Sequence, residues 1–317
     1  MNYLKTKEKE KRYSIFPILH QDIWEFYKKV TKQHWDAQEI DLSQDDYDSL
    51  EDNEKLFLDN MLSFFNVSDS LVISNLEETL IKETNIEEAQ FFYRYQAFNE
   101  SVHQETYSLM TDTYIKDVIK KEQMFDSIKN NPVVAEKVKW VEKWINNSSY
   151  AHKLVAFACV EGISFSSLFA GALWFRTRGK IPGFGSANEL ILSDEHSHYE
   201  FAKHMYNNYL KDEYKLSNNE LEEIIIGAYE TEKIFVEGSL PDGLKGLTKE
   251  SMIQYVQFVT DTVLVGFGLK PKFMVINPLS YMANLGLSGK NNFFEQRVGE
   301  YTRVEIPTGG INFNEDF

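Results

Sequence analysis

The sequence predicts an all-α fold from three features. Apolar residues recur at helical spacing over long stretches, strand-like alternation is nearly absent, and proline and glycine, with 7 and 16 copies in 317 residues, cluster between those stretches. Helical spacing runs over residues 51–80, 87–114, 132–145, 150–175, 187–209, 217–235 and 249–269. Asn130-Asn131-Pro132 and the run from Arg178 to Gly183 read as turns, and Ser217 stands where a helix N-cap belongs. No linker-like segment divides the chain into two domains.

Composition limits what such a fold can do. With 43% hydrophobic and 14% aromatic residues the chain can bury a large core. A net charge of -16 opposes binding to phosphate backbones, so nucleic acid is not an expected partner. The single cysteine, Cys159, cannot form an internal disulfide, sits in an apolar run as a packing residue, and fits a reducing, cytoplasmic setting. Lys5, Lys7, Lys9, Lys11 and Arg12 alternate with Glu8 and Glu10, which reads as a solvated tail rather than a signal peptide. At the other end, residues 302–317 carry Pro307, Gly309, Gly310 and an acidic, aromatic finish, the composition of a mobile tail. Residues 154–175 are long and apolar enough to span a bilayer, with Glu161 as their one charge. A carboxylate in lipid is costly and the other helices are amphipathic, so a core helix is expected and no membrane. Glu161 then needs a partner inside the protein.

Two of the seven histidines follow a glutamate by three positions, in Glu100-Ser-Val-His103 and Glu195-His-Ser-His198, so each pair shares a helix face. Either match alone is weak, because 49 acids in the chain make about one such match among seven histidines a chance event. Their placement says more. Each lies within an apolar helix and follows an isolated acid in another: Asp69 is 31 positions before Glu100 (100 − 69) and Glu161 is 34 before Glu195 (195 − 161). A bundle that points a carboxylate from each of two helices and a Glu-x-x-His from each of two others inward has the di-iron carboxylate arrangement. Four carboxylates offset most of the charge of two divalent cations, whereas without metal their common burial would disfavour ionising all four. Oxygen-rich ligation with two imidazoles suits iron or manganese.

From about Trp35 to the C-terminus the chain resembles the small subunit of class I ribonucleotide reductase, most nearly the eukaryotic and viral type. The segments HWDAQEIDLSQD, NVSDSLVISNL, NESVHQETYSL, VEGISFSSLFA, NELILSDEHSHYEFA and NNFFEQRVGEY carry the resemblance, with the acidic tail ending in Phe317. It implies a ferritin-like helical bundle over residues 21–290 with a di-metal carboxylate site in its core. An N-terminal tail over 1–20 and a flexible C-terminal tail over 291–317 that binds the large subunit would flank it. The resemblance implies six metal ligands, Asp69, Glu100, His103, Glu161, Glu195 and His198, and two iron ions, with manganese or a mixed pair as alternatives. It makes Tyr107 the radical tyrosine, formed with dioxygen, and Phe165, Phe169 and Ile191 the apolar pocket around it. Trp35 and Asp194 match an electron-transfer route in which Asp194 joins His103 to the indole, and Glu295 and Tyr301 match residues that relay the radical to the large subunit. A homodimer and reduction of ribonucleoside diphosphates are implied as well.

Spacing bears on several of these roles separately. Tyr107 lies four residues after His103 and seven after Glu100, on the same face. Phe165 and Phe169 follow Glu161 by four and eight, and Ile191 precedes Glu195 by four. His196 lies on another face from its neighbours in sequence, and His20, His34, His152 and His204 have no acid at ligand spacing, so surface or capping roles are expected. Two other readings use the same helices: a two-metal oxidase acting on a small substrate with a manganese and iron pair, and an iron-storing bundle. Tyr107 with the Tyr301 and Phe317 tail argues against the first. The second needs a cage-forming oligomer and no dedicated tail.

Overall fold

A computed structural model describes residues 3–6, 12–147 and 149–282. Helix α1 spans Gln21–Lys32, α2 Asp52–Asn75, α3 Ile81–Glu83, α4 Glu87–Tyr114, α5 Val118–Phe125, α6 Ser127–Asn130 and α7 Pro132–Asn147. They are followed by α8 Tyr150–Cys159, α9 Ser166–Arg178, α10 Pro182–His204, α11 Asn218–Ser239 and α12 Lys249–Gly266. Among the described residues the only β pairings are isolated bridges, Leu4 with Leu210 and Leu244 with Leu247, so the chain is all-α as the sequence predicts.

Local chemistry sets the helix ends. The Ser217 side chain accepts from the Glu220 amide while Glu220 reaches back to the Ser217 amide, a capping box that opens α11 where the sequence places it. Thr248 and Ser251 make the same reciprocal pair at the start of α12. Gly179, at φ 65°, ends α9 in the left-handed region that a side chain disfavours, and Pro182 occupies the first turn of α10, where its missing N–H leaves no bond unmade.

Three stretches that the periodicity reads as plain helix contain a wider π turn: Leu76–Leu80 after α2, Val160–Ser164 between α8 and α9, and Met205–Tyr209 after α10. A π turn adds a residue to the helix and leaves the apolar pattern almost intact, which hides it from a hydrophobic count. The helix predicted over 150–175 is present but carries the Val160–Ser164 π turn within it, and Glu161 sits in the turn. Glu161 and Phe165 consequently do not share a regular i, i+4 face.

Helix α2 lies along α4, which also meets α1 and α10; α10 packs on α8 and α9, and α11 on α7, α8 and α12. The stretches Asp52–Glu83 and Tyr150–Arg178 are long and apolar enough to cross a membrane, yet the most apolar 18 residues of the second are wholly buried inside the protein. Glycine permits one of the closest approaches: a methyl group at Gly171 of α9 would run into the Phe57 ring of α2. Cys159 is fully buried, as packing implies, and burial pushes its thiol well above the ordinary range.

Parts of the first twenty residues are seated on the body, while Tyr13 and Phe16 are exposed. Leu4 is fully buried, the Lys5 amide donates to the Tyr209 carbonyl at 2.7 Å, and Tyr3 stacks on Tyr150 at 5.2 Å between ring centroids. Arg12 pairs with Glu88 at 2.9 Å. The apolar Tyr3 and Leu4 contribute area that the charges around them mask in the sequence. Residues 283–317, including Glu295, Tyr301 and the expected C-terminal tail, lie outside the described residues.

Because Phe57 fills the space that a side chain at position 171 would need, Gly171→Ala should destabilise the fold by about 1–3 kcal/mol, read as a lower midpoint in urea at unchanged slope.

Candidate metal centre

Four helical segments bring the six predicted ligands into one buried cluster: α2 supplies Asp69, α4 Glu100 and His103, the π turn Glu161, and α10 Glu195 and His198. None of the six is more than 4% exposed. Ligand atoms of Glu100, Glu161, Glu195 and His198 all lie within 4.8 Å of one another, the spacing of groups that can share a cation.

Two carboxylates occupy the middle. Glu100 lies 3.2 Å from His103 Nδ1 through one oxygen and 3.0 Å from His198 Nδ1 through the other. Glu195 does the same, at 3.1 Å from His103 Nδ1 and 2.9 Å from His198 Nδ1. Asp69 and Glu161 flank them. Each has one oxygen satisfied, Asp69 by the Ser68 hydroxyl at 3.0 Å and Glu161 by the Gln96 amide at 3.1 Å. Asp69 Oδ2 and Glu161 Oε2 have no hydrogen-bond partner, nor has Glu100 Oε1 in spite of its nearness to His198. Buried acceptors are rarely left so, since each loses its hydration for nothing.

The electrostatics agree. Burial, then the neighbouring carboxylates, raise Asp69 and Glu161 well above the usual acid range. Burial opposes charge on His103, but hydrogen bonds to Asp194, Glu100 and Glu195 outweigh it and hold this imidazole well above its ordinary value. His198 is likewise raised, to about 9, by Glu100 and Glu195 against burial. Glu195 is held low against burial by the two imidazoles. Acids that keep their protons beside imidazoles that gain them form a site calling for positive charge, which divalent metal would supply. Orphaned oxygens, four acids and two nitrogens fit a two-metal group.

Outside the cluster, Asp194 Oδ2 accepts from the Trp35 indole at 2.8 Å and from the Asn99 amide at 3.1 Å, and lies 3.2 Å from His103 Nε2. An Nε2–H donated to Asp194 leaves His103 Nδ1 bare on the side of Glu100 and Glu195, the tautomer a ligating imidazole needs. The Trp35 and His103 rings lie nearly parallel, 5.8 Å apart. The Asp194 link implied by the resemblance is thus present as a direct chain of contacts.

Tyr107 is 1% exposed, and its hydroxyl donates to Asn188 Oδ1 at 3.0 Å. Burial, then the charges of Asp69, Glu195 and Glu100, push the phenol well above its usual value. Phe65 stacks flat on its ring with centroids 3.9 Å apart, and Phe165 and Phe169 each pack on Phe65 at 5.9 Å. The expected apolar wall therefore reaches Tyr107 through Phe65, and Ile191 is buried on α10 between Asn188 and Glu195.

Phe65, Gln96, Asn99 and Asn188 are not singled out by the sequence motifs. A signal for them exists nonetheless: Phe65, Gln96 and Asn99 lie four residues before Asp69, Glu100 and His103, and Asn188 seven before Glu195. The remaining histidines stay out of the cluster. His204 pairs with Asp22 at 2.8 Å and His152 with Ser149 at 2.8 Å, while His34 lies among the Tyr95 and Phe98 rings. Of the surface or capping roles expected for it, His20 is not at the surface, being 2% exposed against Tyr209, and it stands at the N-cap position of α1, where its side chain makes no capping bond.

A helical bundle with carboxylates and imidazoles converging in a dry core defines the class of two-metal carboxylate proteins. Residues 12–278 match the family model of the ribonucleotide reductase small chain. Over 312 residues the sequence is 43% identical to a ribonucleoside-diphosphate reductase small chain of Arabidopsis thaliana, covering 96% of this protein and 93% of that one. It is 42% identical over 299 residues to the ribonucleoside-diphosphate reductase small chain of Yaba-like disease virus, covering 93% and 91%. Among solved structures, the ribonucleotide reductase Rnr4 homodimer from Saccharomyces cerevisiae aligns with a TM-score of 0.78 at 34% identity, over 86% of this chain and 87% of that one. The chain belongs to the ribonucleotide reductase small chain family.

Metal uptake should displace protons, since Asp69, Glu161 and both imidazoles hold them more tightly than usual and must release them to ligate. Adding Mn(II) or Fe(II) to metal-free protein under anaerobic, weakly buffered conditions should acidify the solution, and affinity should rise with pH through the neutral range; uptake with no proton release would contradict this.

Proposed function

We propose that the chain is the radical-carrying small subunit of a ribonucleoside-diphosphate reductase, with two iron ions held by Asp69, Glu100, His103, Glu161, Glu195 and His198. The convergence of all six on one buried cluster, with Glu100 and Glu195 each facing both imidazoles, carries the reading. Four carboxylates offset most of the charge of two divalent ions, and His103 and His198 complete the set through Nδ1. The donor set accepts manganese or a mixed pair as well, and iron is the metal implied by the resemblance to the eukaryotic and viral type.

When bound, the metals supply with dioxygen the oxidising equivalent for Tyr107. The chain's own residues do the rest. Tyr107 holds the unpaired electron behind Phe65, Phe165, Phe169 and Ile191, which keep water and reductants from an oxidised phenol. Asn188 fixes the phenol oxygen. His103, Asp194 and Trp35 form the inner part of a route along which the radical passes reversibly, relayed by Glu295 and Tyr301, to a cysteine of a separate large subunit, where the ribonucleotide is reduced. The acidic C-terminal tail, anchored by Phe313 and Phe317, docks into that large subunit as a short peptide. The protein works as a homodimer in the cytoplasm.

Metal analysis with electron paramagnetic resonance, after adding ferrous iron and oxygen to metal-free protein, should find two metals per chain and a tyrosyl signal. Tyr107→Phe should keep the metals and lose both the signal and reductase activity; activity retained in this variant would remove Tyr107 from the mechanism. Removing residues 311–317 should abolish activity with the large subunit and leave the tyrosyl signal intact, and an undiminished complex would refute the docking role.

A further inference from the structure

Away from the cluster, an ion pair lies wholly inside the protein. Lys137 of α7 and Glu232 of α11 meet at 2.7 Å with side chains 1% and 0% exposed. The Lys137 ammonium also sits 3.8 Å from the Phe64 ring centroid and 4.3 Å from that of Phe235. Replacing a buried pair with apolar side chains of similar size is often neutral or stabilising, so the pair's contribution is sought in its other bonds.

Those bonds go to one place. Lys137 Nζ donates to the Ser164 carbonyl at 2.5 Å, and Ser164 closes the π turn that bears Glu161. Glu232 Oε1 accepts from the Ser167 amide at 3.2 Å and from the Ser167 hydroxyl, in the first turn of α9. Where a π turn gives way to an α-helix the bonding register changes, and the first amides of the new helix have no partner behind them. Lys137 holds the carbonyl on one side of this break and Glu232 the amide on the other. Between them stands Phe165, which packs on Phe64 at 5.8 Å and on Phe65 at 5.9 Å. A π turn with its ends unpinned can slide its extra residue along the helix. That slide would turn Glu161 away from Glu195 and Glu100.

We propose that Lys137 and Glu232 are a positioning pair for the metal centre, fixing the register of the π turn so that Glu161 faces Glu100 and Glu195. The proposal rests on the metal-centre reading above. Neither residue touches the cluster; both act through the backbone at Ser164 and Ser167.

The test is Mn(II) binding by the otherwise intact chain, with free Mn(II) followed by electron paramagnetic resonance and folding by circular dichroism and thermal melting. Lys137→Met with Glu232→Leu removes both caps without stranding a charge. It should fold yet bind Mn(II) about 10–100-fold more weakly, with an altered bound-metal spectrum, as loss of a ligand's support does. Lys137→Met with Glu232→Gln keeps an acceptor for Ser167 and should lose less. A purely structural pair would lower the melting temperature and leave Mn(II) affinity of the folded protein untouched, and that result overturns the proposal. If the first variant does not fold, wild-type affinity and spectrum in the second overturn it equally. A wild-type chain that takes up no Mn(II) overturns the metal-centre reading and this proposal with it, whereas wild-type uptake matched by both variants overturns the proposal alone.

Discussion

Four carboxylates buried side by side constrain everything around them. In a medium of low polarity they repel one another and have lost their hydration, so a fold that collects Asp69, Glu100, Glu161 and Glu195 must provide positive charge among them and support behind them. The support is visible in the helices. Ser68, Gln96 and Asp194 each fix one atom of a cluster residue and leave another turned inward. The unpaired oxygens of Glu100 and Glu161 lie beside Glu195 and His198, at the spacing of groups that can share a cation.

Much of this was legible in the sequence because helices translate spacing into direction. Glu100, His103 and Tyr107 had to share a face of α4, and an acid inside the most apolar stretch of the chain had to be answered by other buried groups. The supporting residues were legible by the same rule applied one turn further, at Phe65, Gln96, Asn99 and Asn188. What remained hidden follows from physics the pattern does not record. A π turn preserves hydrophobicity while changing register, so Glu161 looked like a residue in mid-helix. The Trp35 contact with Asp194 crosses 159 residues of chain and was reached by resemblance, since no local periodicity links a loop to α10. Lys137 and Glu232 stand on the core-facing stripes of α7 and α11, at helical spacing from Val134 and Val141 and from Ala228 and Val236. What the sequence does not record is that the two charges meet each other, which only the packing of α7 on α11 shows.

The two halves of the centre are built differently. On α4 and α10 the ligands come as Glu-x-x-His within regular helix, where backbone geometry alone sets their relation. On the other side Glu161 stands in a π turn whose position depends on contacts from α7 and α11. One wall of the site is therefore set by its own helices and the other by remote neighbours, so sequence changes far from the cluster reach Glu161 more readily than Glu100 or Glu195.

The stack of Phe65 on Tyr107 has a further consequence for where an electron vacancy can rest. Phenylalanine is much harder to oxidise than tyrosine or tryptophan, so Phe65 on the phenol face, backed by Phe165 and Phe169, presents rings that would not take a vacancy placed on Tyr107. The Trp35 indole joins the cluster through Asp194 and His103. On the radical reading proposed above, the aromatic wall would act as electrical insulation on that face of the phenol.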